Sequence, residues 1–240
     1  MLLQSIFTQR IIIILLVQVW PILLSSYLAY KILKRAKNRS TFILSSFFIL
    51  ISSAYFFATL SAFLLNTSLA YLFYIVGIYF FFFSHCFLTI FSWVLVKLAD
   101  KSSFWKSCVI IILYGVISTY IFWIGFYFNG IMYDSSTNWI PTYSWFFLIF
   151  SWAILLIFLI TPQIYFSFKL LKIFEGVILK QRINRFIISV FLEFIMVFSV
   201  FLYNTWVESQ IYRTFYILVL PITSNIAAFL IYKSFGKELE

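Results

Sequence analysis

Seven long apolar runs, separated by short polar breaks, dominate the chain: residues 11–30, 41–65, 69–96, 107–128, 143–168, 186–203 and 214–232. Each approaches or exceeds the roughly 20 residues that a helix rising about 1.5 Å per residue needs to cross the hydrocarbon of a bilayer. Apolar residues are continuous within the runs, as in membrane helices, and do not alternate as in outer-membrane strands. The pattern predicts an all-α, polytopic membrane bundle of about seven transmembrane helices, a single domain over residues 1–240. The short connections predict up-and-down neighbours. Asn66-Thr67-Ser68 reads as a tight hairpin. The longest link on the same side, residues 129–142, holds Asp134, Trp139 and Pro141. It admits two readings: a lid over a cavity, or an interfacial loop anchored at headgroup level by Tyr133, Trp139 and Tyr143.

Composition supports lipid as the solvent. The chain is 64% hydrophobic and 10% charged, whereas soluble domains carry about 25% charged residues. The net charge of +10 does not point to nucleic acid, because the basic residues sit in clusters between the runs. Lys31, Lys34, Arg35, Lys37 and Arg39 follow the first run. Lys97, Lys101 and Lys106 follow the third. Lys169, Lys172, Lys180, Arg182 and Arg185 follow the fifth, and Lys233 and Lys237 the last. Only Arg10 and Arg213 fall on the other side. The positive-inside rule puts the rich side in the cytoplasm and the N-terminus outside, in what is expected to be the cell membrane. No cleavable signal peptide is expected, since the first run follows Arg10, lacks an A-x-A site and ends in a basic cluster. Cys86 and Cys108 fall at different depths in antiparallel runs, too far apart for a disulfide.

Polar groups inside the runs are few. Glu193 is the one acid clearly within a run and His85 the only histidine; Gln18, Gln163 and Asn225 are the notable amides. Intramembrane ionisable groups are costly and so invite a functional reading. An interhelical hydrogen bond is the plainer role for each. Counting from the basic ends, Glu193 and Asn225 share one depth, and His85 and Gln18 a deeper one. A Glu193–Asn225 bond is expected, with Glu193→Leu costlier than Glu193→Gln because it would strand partners. Pro21, Pro162 and Pro221 are hinge candidates, since proline removes a backbone bond and kinks its helix. The segment KLLKIFEGVILKQRINR, residues 169–185, reads as a helix extension broken at Gly176. Its Lys172, Lys180 and Arg182 are candidates for docking a cytoplasmic partner or anionic headgroups.

Catalytic chemistry is not expected. The chain has no H-E-x-x-H, G-x-S-x-G or P-loop motif, and one histidine cannot build a His-rich metal site. No metal and no cofactor are anticipated. Haem held by two histidines is excluded by count, and the lysine of the last run, Lys233, lies at its end where a retinal protein needs one in the middle.

The seven-run, N-out arrangement resembles the prokaryotic seven-helix sensor regions at the N-terminus of some histidine kinases. The stretches IYFSFKLLK, Glu175-Gly176, LKQRINRF and PITSNIAAFLIYKSFGKELE carry this likeness. It implies a sensor or receptor whose output, with no kinase before Glu240, passes through a separate cytoplasmic signalling partner. Pro162-Gln163 also resembles the dipeptide of PQ-loop and SWEET-like transporters. Pro21 sits in the matching place, and lysines follow ten residues on at Lys31 and Lys172, but Ile22 replaces the first glutamine. That likeness implies a small-solute transporter. Animal-type G-protein-coupled receptors match less well: the third run ends KLADK, and Ile226 follows Asn225.

Overall fold

The computed structural model describes residues 18–35, 38–65, 67–97 and 104–236. Within them the chain is an all-α bundle of seven helices: α1 (Trp20–Arg35), α2 (Arg39–Phe63), α3 (Ser68–Val96), α4 (Trp105–Tyr127), α5 (Trp145–Ile173), α6 (Val177–Thr205) and α7 (Gln210–Phe235). The last six are long and apolar enough to cross a membrane. This is an integral, multi-pass membrane protein. Residues 11–17 of the first expected span, like Arg10, Lys37, Asn66, Lys101 and Lys237, lie outside the described residues.

α3 is the central post and packs against α2, α4, α5 and α6, while α6 and α7 pair and α7 returns to α1. The α2–α3 pair fits closely at Gly77. A Cβ there would stand 3.0 Å from the Ala54 carbonyl oxygen and 3.2 Å from the Ala58 nitrogen, the small-residue approach typical of membrane helices. Aromatic rings fill much of the remaining interior: Phe82 stacks on Tyr114 at 5.8 Å, and Phe91, Phe186 and Phe235 form a cluster.

Local chemistry sets the helix ends. Asn38 and Thr41 form a reciprocal capping box at the start of α2. The Ser144 hydroxyl accepts the Phe147 N–H at 3.1 Å to open α5. Gly176, at φ +101, lies in the left-handed region that favours glycine and separates α5 from α6. The α6 helix starts at Val177, nine residues before the apolar run at 186. Charge marked where that run ends; it did not end the helix, which projects past its apolar part. The run expected as one helix over 107–128 is interrupted at Thr119. There the Ser118 and Thr119 hydroxyls bond the Tyr114 and Val116 carbonyls, each at 2.7 Å, a local competition that bends helices.

Two interruptions involve prolines. Residues Leu156–Ile160 form a π-turn immediately before Thr161 and Pro162, and the Thr161 N–H and hydroxyl both reach the Leu156 carbonyl. Pro162 cannot donate to the preceding turn, so the ladder widens there. Gln18 and Val19 likewise lie in a π-turn just ahead of Pro21. By contrast, α-helix runs unbroken through Pro221.

Residues 129–142 form a small plug. Ile131–Met132 and Thr142–Tyr143 pair as antiparallel strands β1 and β2. Ile131, Tyr133 and Tyr143 are buried. Tyr133 and Tyr143 therefore do not anchor the loop at headgroup level as one reading expected; the bundle offers their rings an aromatic interior to pack into.

Candidate functional site

The helix ends separate by chemistry. At one end Arg35 lies over the Tyr232 ring, and Arg39 lies over Trp93 while donating to the Ser107 hydroxyl. This joins the end of α1, the start of α2, the end of α3, the start of α4 and the end of α7. The docking candidates Lys172 and Lys180 are exposed around the α5–α6 break and Arg182 is half-buried. The opposite end carries the β1–β2 hairpin.

A polar layer crosses the middle of the bundle. Glu193 on α6 is 3% exposed, and its carboxyl makes no hydrogen bond among the described residues. It lies within electrostatic range of Tyr55 on α2, which in turn neighbours Ser224 on α7, the residue before Asn225. Asn225 is half-buried and engaged in its own interaction. His85 on α3 is fully buried. Its Nδ1 sits 2.8 Å from the Phe81 carbonyl, its ring packs against Phe47, Phe81 and Phe194, and its Nε2 has no partner among the described residues. Gln18 is not joined to His85; its Oε1 accepts from Thr59 on α2 at 3.0 Å, one turn from Tyr55. Five helices thus contribute polar groups to one region: α2, α3, α6 and α7, and the turn that opens α1.

Gln163 stands apart. It is buried on α5, donates to the Ser167 hydroxyl at 3.3 Å and leaves its Oε1 without a partner among the described residues. The Thr89 hydroxyl of α3 reaches the Leu159 carbonyl in the adjoining π-turn at 3.5 Å. Pro21 is buried and Pro162 half-buried. Cys86 and Cys108 are both free thiols.

A cleft of about 570 Å³ opens at the hairpin end, between the hairpin, the start of α3 and the end of α4. Tyr71 closes one wall and pins the hairpin by donating to the Gly125 carbonyl at 2.7 Å and the Ile131 carbonyl at 3.0 Å. Tyr133 lines the floor. Beneath it the Tyr74 ring stacks at 4.7 Å, the Tyr74 and Tyr143 hydroxyls meet at 2.6 Å, and the Tyr143 ring packs against Phe201 of α6 at 5.7 Å. Tyr143 and Tyr55 are each within electrostatic range of Tyr216. A set of tyrosines therefore extends from the cleft floor towards Glu193.

Asp134 sits on the cleft rim. Its Oδ1 accepts from the Ser136 hydroxyl at 2.6 Å, the Ser136 N–H at 2.8 Å and the Thr137 N–H at 3.3 Å. The Ser136 hydroxyl, with those N–H groups, holds this carboxyl below the ordinary aspartate value, so it is anionic at neutral pH.

The sequence singles out Glu193 and His85 but gives Tyr143 only an interfacial role and does not distinguish Tyr55, Tyr74 and Tyr216 from the other tyrosines. The chain has 16 tyrosines among a 24% aromatic content, so spacing alone does not separate a buried hydroxyl from an interfacial one. Compared with known proteins, the chain matches no family model, no curated protein and no solved structure.

Proposed function

We propose that this multi-pass membrane protein is a receptor-like sensor without catalytic activity. Its hairpin end faces outside, and its basic end faces the cytoplasm and a separate signalling partner. The observation that supports this most is Tyr133, which lines the cleft while stacking on Tyr74. A ligand that shifts Tyr133 acts on the Tyr74–Tyr143–Phe201 contacts and so on α3, β2 and α6. The α6 helix continues from there to Lys180 and Arg182 without a break. Differential binding to two packings of these contacts is what a sensor requires. The excess of basic residues at the other end supports the orientation.

Orientation is tested by impermeant thiol labelling of intact cells after Cys86 and Cys108 are replaced by serine. A cysteine at Ser136 should label and one at Glu175 should not; the reverse would overturn the assignment. Signalling is tested by cross-linking and recovery of cytoplasmic partners. Replacing Lys172, Lys180 and Arg182 with glutamine should abolish recovery while membrane insertion persists. Undiminished recovery would end the docking reading.

A small-solute transporter is the second reading, favoured by the π-turns that precede both Pro21 and Pro162. Helices broken at corresponding places are a feature of alternating access. A transporter should let impermeant reagents reach a cysteine at Ser224 from each side in turn. A receptor should expose it to the cytoplasmic side in no state.

A further inference from the structure

The cleft combines three features. Its lining holds the aromatic rings of Tyr71, Phe126, Tyr133 and Trp139, so cation-attracting rings are concentrated in about 570 Å³. Its rim holds one carboxylate, Asp134. And among the described residues no lysine or arginine lines the cleft. Arg213 does not supply that charge either: its guanidinium is 4.6 Å over the Tyr203 ring and bonds the Tyr203 hydroxyl.

We propose that the cleft binds a small organic cation through its ammonium group, a proposal that rests on reading the cleft as the ligand site. Asp134 is built for this role. Its three recorded bonds all fall on Oδ1, and an ionised carboxylate has about four acceptor positions over its two oxygens. The turn therefore fixes the carboxylate in place while Oδ2 keeps acceptor capacity for a ligand. Tyr133 is buried against Tyr74 and holds Trp139 in edge-to-face contact at 5.6 Å, while Tyr71 and Phe126 meet edge-to-face at 5.4 Å, so the rings left open to an ammonium are those of Tyr71, Phe126 and Trp139. An anion would meet Asp134 with no compensating charge in the lining. A neutral solute could use Oδ2 only as a hydrogen-bond acceptor and would leave the carboxylate charge uncompensated.

The same ammonium chemistry is offered by a free solute and by the headgroup of a choline lipid, so the test separates them. Choline and its neutral isostere 3,3-dimethylbutan-1-ol are titrated calorimetrically into the full chain in maltoside micelles, which contain no ammonium. Choline should bind saturably and the isostere should not. Asp134→Asn keeps an Oδ1 acceptor for the turn, so it should fold normally and bind choline about tenfold more weakly, the loss of one coulombic contact between opposite charges. Transfer to phosphatidylcholine nanodiscs should weaken choline binding if the headgroup occupies the cleft; equal affinity in phosphatidylcholine and phosphatidylglycerol nanodiscs identifies a free solute. Equal binding of choline and the isostere, or an unchanged Asp134→Asn affinity, overturns the cation proposal and leaves the ligand cleft standing. Saturable binding by neither compound overturns the cation proposal and withdraws the support the cleft lends to the sensor reading.

Discussion

Helices α3 and α7 have the same mean hydropathy, 1.9 over their most apolar windows, yet 72% of the α3 window is buried and 19% of the α7 window. In water that difference would be visible as an amphipathic stripe, because the exposed face would be polar. In a bilayer both lipid and protein interior are apolar, so hydropathy reports that a helix spans and not what it faces. What separates the two helices is residue size and polarity. Within α3, Ala70, Gly77, Ser84, His85 and Ser92 are all buried and let neighbouring backbones approach. On α7 the small buried residues are Ala227, Ala228 and Ser234, and large side chains such as Ile211, Leu218 and Ile222 point outward.

The comparison breaks most severely at Gly77. Its missing Cβ would meet backbone atoms of α2, which cannot rotate away. Gly77→Leu should separate α2 from α3 and prevent accumulation of a monodisperse protein, a cost above the roughly 1–3 kcal/mol of ordinary overpacking. Size-exclusion profiles in maltoside check it. A normal profile would mean that the α2–α3 contact does not organise the bundle.

A matched pair of leucines comes next. Leu88 on α3 is fully buried and Leu218 on α7 is 65% exposed. Leu88→Ala should cost about 2 kcal/mol in reversible unfolding by SDS, the low end of buried Leu→Ala values. Little of that is a hydrophobic transfer, because unfolding within the membrane trades protein contacts for lipid. The cavity left beside the central helix supplies the rest. Similar losses at both leucines would remove the distinction between the two helices.

These contrasts show where the sequence was legible. The positions of six runs transfer almost directly to α2–α7, because twenty apolar residues have few alternatives to a spanning helix. Gly176 was also readable as a break, from its lack of a Cβ and its polar surroundings. The β1–β2 pairing was not, since two-residue strands leave no periodic signal, and Thr142–Tyr143 merges into the apolar run that follows. The helical extension over residues 169–185 was readable too, and α6 does begin at Val177, just after the Gly176 break, because Lys180, Arg182 and Arg185 disfavour the bilayer and do not disfavour helix. The polar layer was legible in part. Glu193 and His85 are conspicuous by type, whereas Tyr55 and Tyr216 become polar-site residues only through the neighbours that folding gives them.

Glu193 lies between the central and peripheral regimes. It is as buried as the α3 core, and it neighbours Tyr55, which in turn neighbours Ser224 on α7. The sequence alone led to an expectation that Glu193→Leu would be costlier than Glu193→Gln by stranding hydrogen-bond partners. With no hydrogen bond formed by its carboxyl among the described residues, there is none to strand, and the expected order reverses. Glu193→Leu should leave unfolding free energy unchanged or raise it by up to about 1 kcal/mol, since the cost of keeping a polar carboxyl at 3% exposure is removed. Activity lost alongside a gain in stability would identify a residue kept for function at the expense of the fold. A clear destabilisation by leucine with none by glutamine would show that the carboxyl is bonded in the membrane after all.

The smallest effect is expected on the outer face of α7, where it is the most diagnostic of all. Ile211, Leu218 and Ile222 are each more than 60% exposed and face the bilayer in the multi-pass arrangement. Alanine shortens them without opening a cavity, because lipid chains flow into the space. The side chains also exchange one apolar surrounding for another on unfolding, so no transfer energy is at stake. The triple variant Ile211→Ala, Leu218→Ala, Ile222→Ala should therefore unfold in SDS within about 0.5 kcal/mol of the parent, as surface substitutions do. Helix propensity works slightly in its favour, since alanine is the better helix former at all three positions. The measurement is made in native-lipid nanodiscs and again in maltoside. A loss of 2 kcal/mol or more in both would mean that protein, not lipid, packs on this face, and α7 would then have to be counted with α3 among the buried helices.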